Sequence, residues 1–87
     1  MSSAAPIQYP IQIALRVMGR STPGFPALVI EQIRLHVPEV DPQAVSLRPS
    51  RDGNFISVVV PLMLTSQEQF DAVYRQLSSN DQILMVL

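Results

Sequence analysis

Hydrophobic positions along the chain follow two periods. From Ile11 to Met18, the residues Ile11, Ile13, Leu15 and Val17 alternate with Gln12, Ala14, Arg16 and Met18. A period of two with one apolar face predicts a strand half-buried on a core. The spacing then lengthens. Pro26, Val29, Ile30, Ile33 and Val37 recur at helical intervals, which predicts an amphipathic helix from Pro23 or Phe25 to Val37. Ser21 or Thr22 is the expected cap, because a hydroxyl can accept an orphan amide of the first turn. Proline is tolerated there because its missing N–H would have no partner. Pro38 stops the helix. A second strand is expected over about Ala44 to Pro49, with Val45 and Leu47 inward. Asp52-Gly53 then marks a hairpin turn, since both residues tolerate positive φ.

The third strand runs from Phe55 to Leu64. Ile56, Val58, Val60, Leu62 and Leu64 form one face; Phe55, Ser57, Val59, Pro61 and Met63 form the other. The second helix follows, with Phe70, Val73, Tyr74 and Leu77 at i, i+3, i+4 and i+7. Ser66 with Gln69, or Thr65 with Glu68, fits a capping box. Asp71 and Arg75 form an i, i+4 pair on its wet side. Ser78 to Asp81 ends that helix, and a last strand spans Gln82 to Leu87. The order β-α-β-β-α-β, with right-handed crossovers, predicts a ferredoxin-like α/β sandwich: a four-stranded antiparallel sheet with both helices on one face. Its usual strand order, 4-1-3-2, puts Pro61 in a central strand, where it would remove a ladder donor. A bulge, or a place beyond the end of a neighbouring strand, is expected there.

Composition narrows the function classes. Eighty-seven residues make one domain with one small core; residues 1–9 read as a short tail and 10–87 as the domain. The absence of cysteine excludes disulfides and thiolate chemistry and fits a reducing compartment. A net charge of −1 leaves no footprint for nucleic acid or anionic membrane. No apolar run approaches the ~20 residues of a spanning helix, and MSSAAPIQYP lacks the basic start and apolar stretch of a signal peptide. A cytoplasmic protein is expected.

The candidate chemistry lies in two places. The first is the connector VMGRSTPGFP (17–26), where Gly19, Arg20, Ser21, Thr22, Pro23 and Gly24 join a strand to a helix. Glycines there let backbone approach a ligand, helix-start amides hold a carboxylate or phosphate, and Arg20 adds a counter-charge. The plain alternative is a capped connector, which every helix needs. The second place is the open face of the sheet. Met18, Phe55, Val59, Met63, Leu84 and Val86 are expected on it, with Ala14, Gln12, Arg16, Ser46 and Arg48. An open sheet face in a monomer should be mostly polar; this one is mixed, which suggests a dimer or partner interface. The last strand's edge is a further place where a second copy could pair. One aromatic, Phe55, and the arginines 16, 48 and 51 are too few for an RNA-binding platform. The single histidine, His36, has no signalled nucleophile or orienting partner and fits a helix C-terminus instead. No metal set, cofactor motif or catalytic pair is present, so no enzyme is expected.

The segments VMG (17–19), HVP (36–38), RPSRDGNFIS (48–57) and MVL (85–87) resemble the YbeD-like family, a group of small bacterial proteins of unknown function. The pattern at Pro49, Ser50, Gly53, Asn54, Phe55 and Ser57 carries most of the likeness. That resemblance implies a ferredoxin-like fold similar to ACT regulatory domains, which bind amino acids and dimerise. TPGFPALVIEQI (22–33) resembles the strand-to-helix turn of ACT domains, with Thr22 where many carry an acidic residue and Pro26 in the helix start. The reading that follows is a small ligand-sensing regulatory domain, a homo-oligomer with a pocket at Gly19–Gly24. The rival is a protein-interaction module using the open face without a small ligand. Gly19→Val is expected to abolish ligand binding and spare assembly; Phe55→Asp is expected to disrupt assembly.

Overall fold

In the computed structural model, which describes residues 8–87, the two longest alternating runs form the centre of the sheet. Strand β1 (Ile11–Arg20) pairs antiparallel with β3 (Phe55–Leu64) in unbroken register, from Ile11 opposite Leu64 to Arg20 opposite Phe55. The short strands β2 (Ser46–Pro49) and β4 (Ile83–Val86) flank them. The sheet order is β2-β3-β1-β4, so the ferredoxin-like βαββαβ order and its 4-1-3-2 arrangement are borne out. Helices α1 (Phe25–Arg34) and α2 (Gln67–Ser78) close the core. It consists of Leu15 and Val17 of β1, the even-numbered residues 58–64 of β3, Ile83 of β4, Phe25, Val29 and Ile33 of α1, Val37 and Val40 after it, and Val73 and Leu77 of α2. Of the expected tail, residues 1–7 lie outside the described residues. Tyr9 packs against the core, and its hydroxyl donates to Gln67 Oε1 at 2.9 Å, so the folded unit reaches at least one residue further than expected.

Pro61 sits in β3 without a bulge, because the β1–β3 register is continuous. The Arg16 N–H donates to the Leu87 carbonyl at 3.1 Å, and the Leu87 N–H donates back at 2.8 Å. The backbone polar groups of Arg16 therefore point away from β3, towards β4. In an antiparallel ladder the residue opposite, Val59, must point its own away from β1, and Pro61 two places on does the same. That side belongs to β2, whose pairing ends with Ser46 opposite Val59. The donor that Pro61 lacks has no strand to reach, which is the second of the two expected solutions.

Three local readings need correction. The cap of α1 is Gly24 and makes no side-chain hydrogen bond. A capping hydroxyl serves the second or third amide of the helix; Pro26 holds the second position and has none. The buried stripe starts at Phe25, 1% exposed, while Pro26 and Ile30 are half-buried. Leu47 stands opposite Val58 on the helix side yet is 50% exposed, because an edge strand of four residues projects past the helix cover. Val45 does pack on the core.

Helix α2 starts as its sequence predicts. Ser66 is the cap and accepts the Gln69 N–H at 3.1 Å, while Gln69 Oε1 accepts the Thr65 N–H at 2.8 Å. Among the described residues, no helix is long and apolar enough to cross a membrane.

Candidate functional site

The connector from β1 to α1 resolves into backbone contacts that need no ligand. The Ser21 N–H donates to the Asn54 carbonyl at 3.0 Å, the Thr22 N–H to Arg20 at 2.8 Å, and the Phe25 N–H to Thr22 at 3.1 Å. Pro23 and Pro26 have no amide to offer. Of the backbone amides of residues 21–27, only those of Gly24 and Ala27 remain as possible donors to an anion, beside the exposed hydroxyls of Ser21 and Thr22. Gly24 has φ −89° and open space where a Cβ would stand. Gly19 is different. A Cβ there would run into the Phe25 ring and come within 2.7 Å of the Gln82 carbonyl oxygen. Gly19 is glycine because Phe25 and the turn before β4 close over it. Gly19→Val therefore perturbs the core and does not isolate ligand binding, contrary to expectation. Two clefts border the connector: an open depression of ≈ 580 Å³ beside Gly24 and Ala27, whose charged lining is Glu31 and Arg34, and a smaller cleft of ≈ 180 Å³ lined by Arg20, Thr22, Phe25, Asp81, Gln82 and Leu84. Of the expected contact residues, the larger holds Gly24 alone and the smaller holds Arg20 and Thr22. The smaller is below the usual range of small-molecule pockets, about 300–1,000 Å³.

The open face is the better-formed surface. Register places β1 residues Gln12, Ala14, Arg16, Met18 and Arg20 beside β3 residues Met63, Pro61, Val59, Ser57 and Phe55 in order. β2 adds Ser46 opposite Val59 and Arg48 opposite Ser57. On β4 the expected assignment changes. Met85 stands opposite Met18 and Val86 opposite Val17, then Ile83 opposite Gly19. The extra residue, Leu84, is a bulge that shifts the alternation by one. Val86 therefore packs on the core, and Met85, 48% exposed, takes its expected place. Leu84 is exposed at the bulge, and Met63 is exposed on the face. Met18, Phe55 and Val59 are half-buried.

The charges of this face are of one sign. Arg16, Arg20 and Arg48 all belong to it, and none of the four strands contains an aspartate or glutamate. The Arg20 guanidinium lies over the Phe55 ring, 5.8 Å from its centroid, within cation–π range. A shallow depression of ≈ 250 Å³ opens between Arg16 and Arg48, with Met18, Ser57 and Phe55 on its walls. Its lip is the β2–β3 hairpin. There the Asp52 carboxylate accepts from the Asn54 N–H at 3.1 Å and from Ser50 Oγ at 2.8 Å. Those bonds hold its pKa below the usual carboxylate value, the Asn54 amide contributing most. Asp52 is thus engaged by its own turn.

His36 belongs to the seam between the helices. Its Nε2 donates to Gln76 Oε1 at 3.1 Å, Gln76 Nε2 donates to Gln32 Oε1 at 2.6 Å, and Gln69 Nε2 donates to the His36 carbonyl at 2.9 Å. This is the structural role, with glutamines in place of the expected helix carbonyls. Among the described residues, no group of three or more His, Cys, Asp or Glu is placed to hold a metal ion.

Comparison with known proteins agrees with this architecture. The family model described as "Protein of unknown function (DUF493)" matches residues 4–87. A UPF0250 protein of Neisseria gonorrhoeae is 37% identical over 81 residues, covering 93% of this chain and 89% of that protein. One of Leptothrix cholodnii is 36% identical with the same coverage. The solution structure of protein HP0495 from H. pylori superposes with a TM-score of 0.73 at 17% identity, covering 99% of this chain and 90% of that one. At that identity the likeness concerns the fold alone.

Proposed function

Because the chain belongs to the DUF493 family of proteins of unknown function, we propose from its own surface that it is a protein-interaction module working through the open face of its sheet. One observation carries the reading. A face that should be polar in a monomer presents Met18, Phe55, Val59, Pro61, Met63 and Met85 side by side. Covering them removes apolar area from water, which is the main driving force of association. Methionines suit the task, because their unbranched side chains repack against more than one shape.

The ACT-type sensor, with its pocket at Gly19–Gly24, is the weaker reading. It rests on likeness of fold, which does not carry function, and the connector's amides are mostly engaged. Regulation remains compatible with the proposal, since a partner that prefers one assembly shifts the population towards it.

The test compares baits in a bacterial lysate: wild type, Phe55→Asp and Thr22→Ala. The expected result is a specific prey, or a second copy of the chain, held by wild type and Thr22→Ala and lost with Phe55→Asp. Circular dichroism checks that the Phe55→Asp protein is folded. Loss with Thr22→Ala and retention with Phe55→Asp would return the connector to first place.

A further inference from the structure

Taking the open face as an interaction surface, we infer that its partner is an acidic, apolar segment of another protein, held by Arg16, Arg20 and Arg48 around Met18 and Phe55. The charge distribution is the warrant. All six basic residues are arginines. Half of them project from the strands on this one face, while all seven aspartate and glutamate side chains lie in helices and connections. Arg16 and Arg20 are four residues apart on β1, about 13 Å in extended chain. Arg48 lies two strands away, level with Met18, which puts it about 12 Å from each of them. The arginines form a triangle with apolar and hydroxyl side chains inside it. Carboxylates at the corners and apolar side chains at the centre are its complement. Guanidinium groups suit such a site, because each can hold a carboxylate through two parallel hydrogen bonds.

Two alternatives fit less well. A second copy laid face to face on this surface would bring arginines against arginines, and like charges across an interface select against that pairing. Single-stranded nucleic acid needs free aromatic faces for base stacking; Phe55 is the only aromatic here, and Arg20 covers one of its sides.

The test is selection of a random peptide library, each member about 12 residues so that it spans the triangle extended or helical, on the immobilised full chain. Selected peptides and a labelled oligouridylate are then titrated by fluorescence anisotropy. The expected peptides are rich in Asp and Glu with interspersed apolar residues. They weaken by about tenfold or more with the Arg16→Gln/Arg48→Gln protein, and again when salt is raised from about 0.1 M to about 1 M. The double variant should unfold at the wild-type temperature, because both side chains are exposed. Peptides without acidic enrichment, binding untouched by the double variant, or an oligouridylate that binds more tightly would overturn the inference. Phe55→Asp separates the two claims. If it abolishes binding of peptides that are not acidic, the acidic partner falls and the interaction face stands. If no selected peptide responds to it, both fall.

Discussion

At the scale of single residues, the three glycines have three different reasons. Gly53 sits at φ +79° with open space around it, so its need is conformational. Gly53→Ala is expected to cost about 1–2 kcal/mol, the ordinary penalty of a left-handed backbone. Gly24 has neither strain nor neighbours. Gly24→Ala should change stability by less than about 1 kcal/mol, because the gain through the unfolded chain is offset by the poorer fit of alanine at a helix cap. Gly19 is a packing glycine, and Gly19→Ala should cost about 1–3 kcal/mol by overpacking. Combined with Phe25→Leu, part of that cost should return, because the two share one space. Urea unfolding of wild type, the three glycine variants, Phe25→Leu and the double variant measures all of this. A Gly19→Ala protein as stable as wild type would remove the packing explanation. The role of Gly53 is legible in the Asp-Gly dipeptide, but the difference between Gly19 and Gly24 is not visible in the sequence, where both read as loop glycines beside a helix start.

The elements show where alternation can be read and where it misleads. In β1 and β3 it predicted the buried face correctly at each position, because ten residues of regular ladder leave no room for slippage. In β4 a single extra residue, Leu84, moved Val86 to the core and Met85 to the surface. A strand of four residues is too short to signal a bulge through its own pattern. Pro61 belongs at this scale too. Its missing donor blunts the stretch of β3 that β2 leaves uncovered, a usual protection of sheet edges. Pro61→Val restores an unpaired N–H there. The expected outcome is near-wild-type unfolding with increased aggregation on concentration, followed by light scattering. A variant as soluble as wild type would show that this edge needs no guard.

For the whole molecule, the formal charge of −1 conceals a separation. The strands carry only positive charge and the helices and connections carry all the negative. Self-association through the open face is therefore opposed by charge and favoured by apolar area. Raising salt from about 0.1 M to about 1 M shortens the screening length from about 10 Å to about 3 Å. Sedimentation velocity should then show a rising weight-average coefficient, while binding of an acidic peptide falls. A dimer in equal proportion at both salts would mean that a second copy already covers the face.

The order of elements, the two central strands, the hairpin at Asp52-Gly53 and a capping box at residues 65–69 were determined by the sequence alone, while the structure chose Ser66 over Thr65 as the cap. Each depends on neighbours within a few residues: a period of two or 3.6, a turn dipeptide, a hydroxyl three places before an amide. The family likeness could be read there as well, since its residues lie in continuous segments. Tertiary structure decided the rest. Whether Gly19 meets a ligand or Phe25, which β4 residue faces out, and that Arg20 joins Arg16 and Arg48 around Phe55 all depend on register between strands distant in sequence. Local pattern carries no information about register once a bulge or an edge intervenes, and a net charge sums away the geometry that separates its signs.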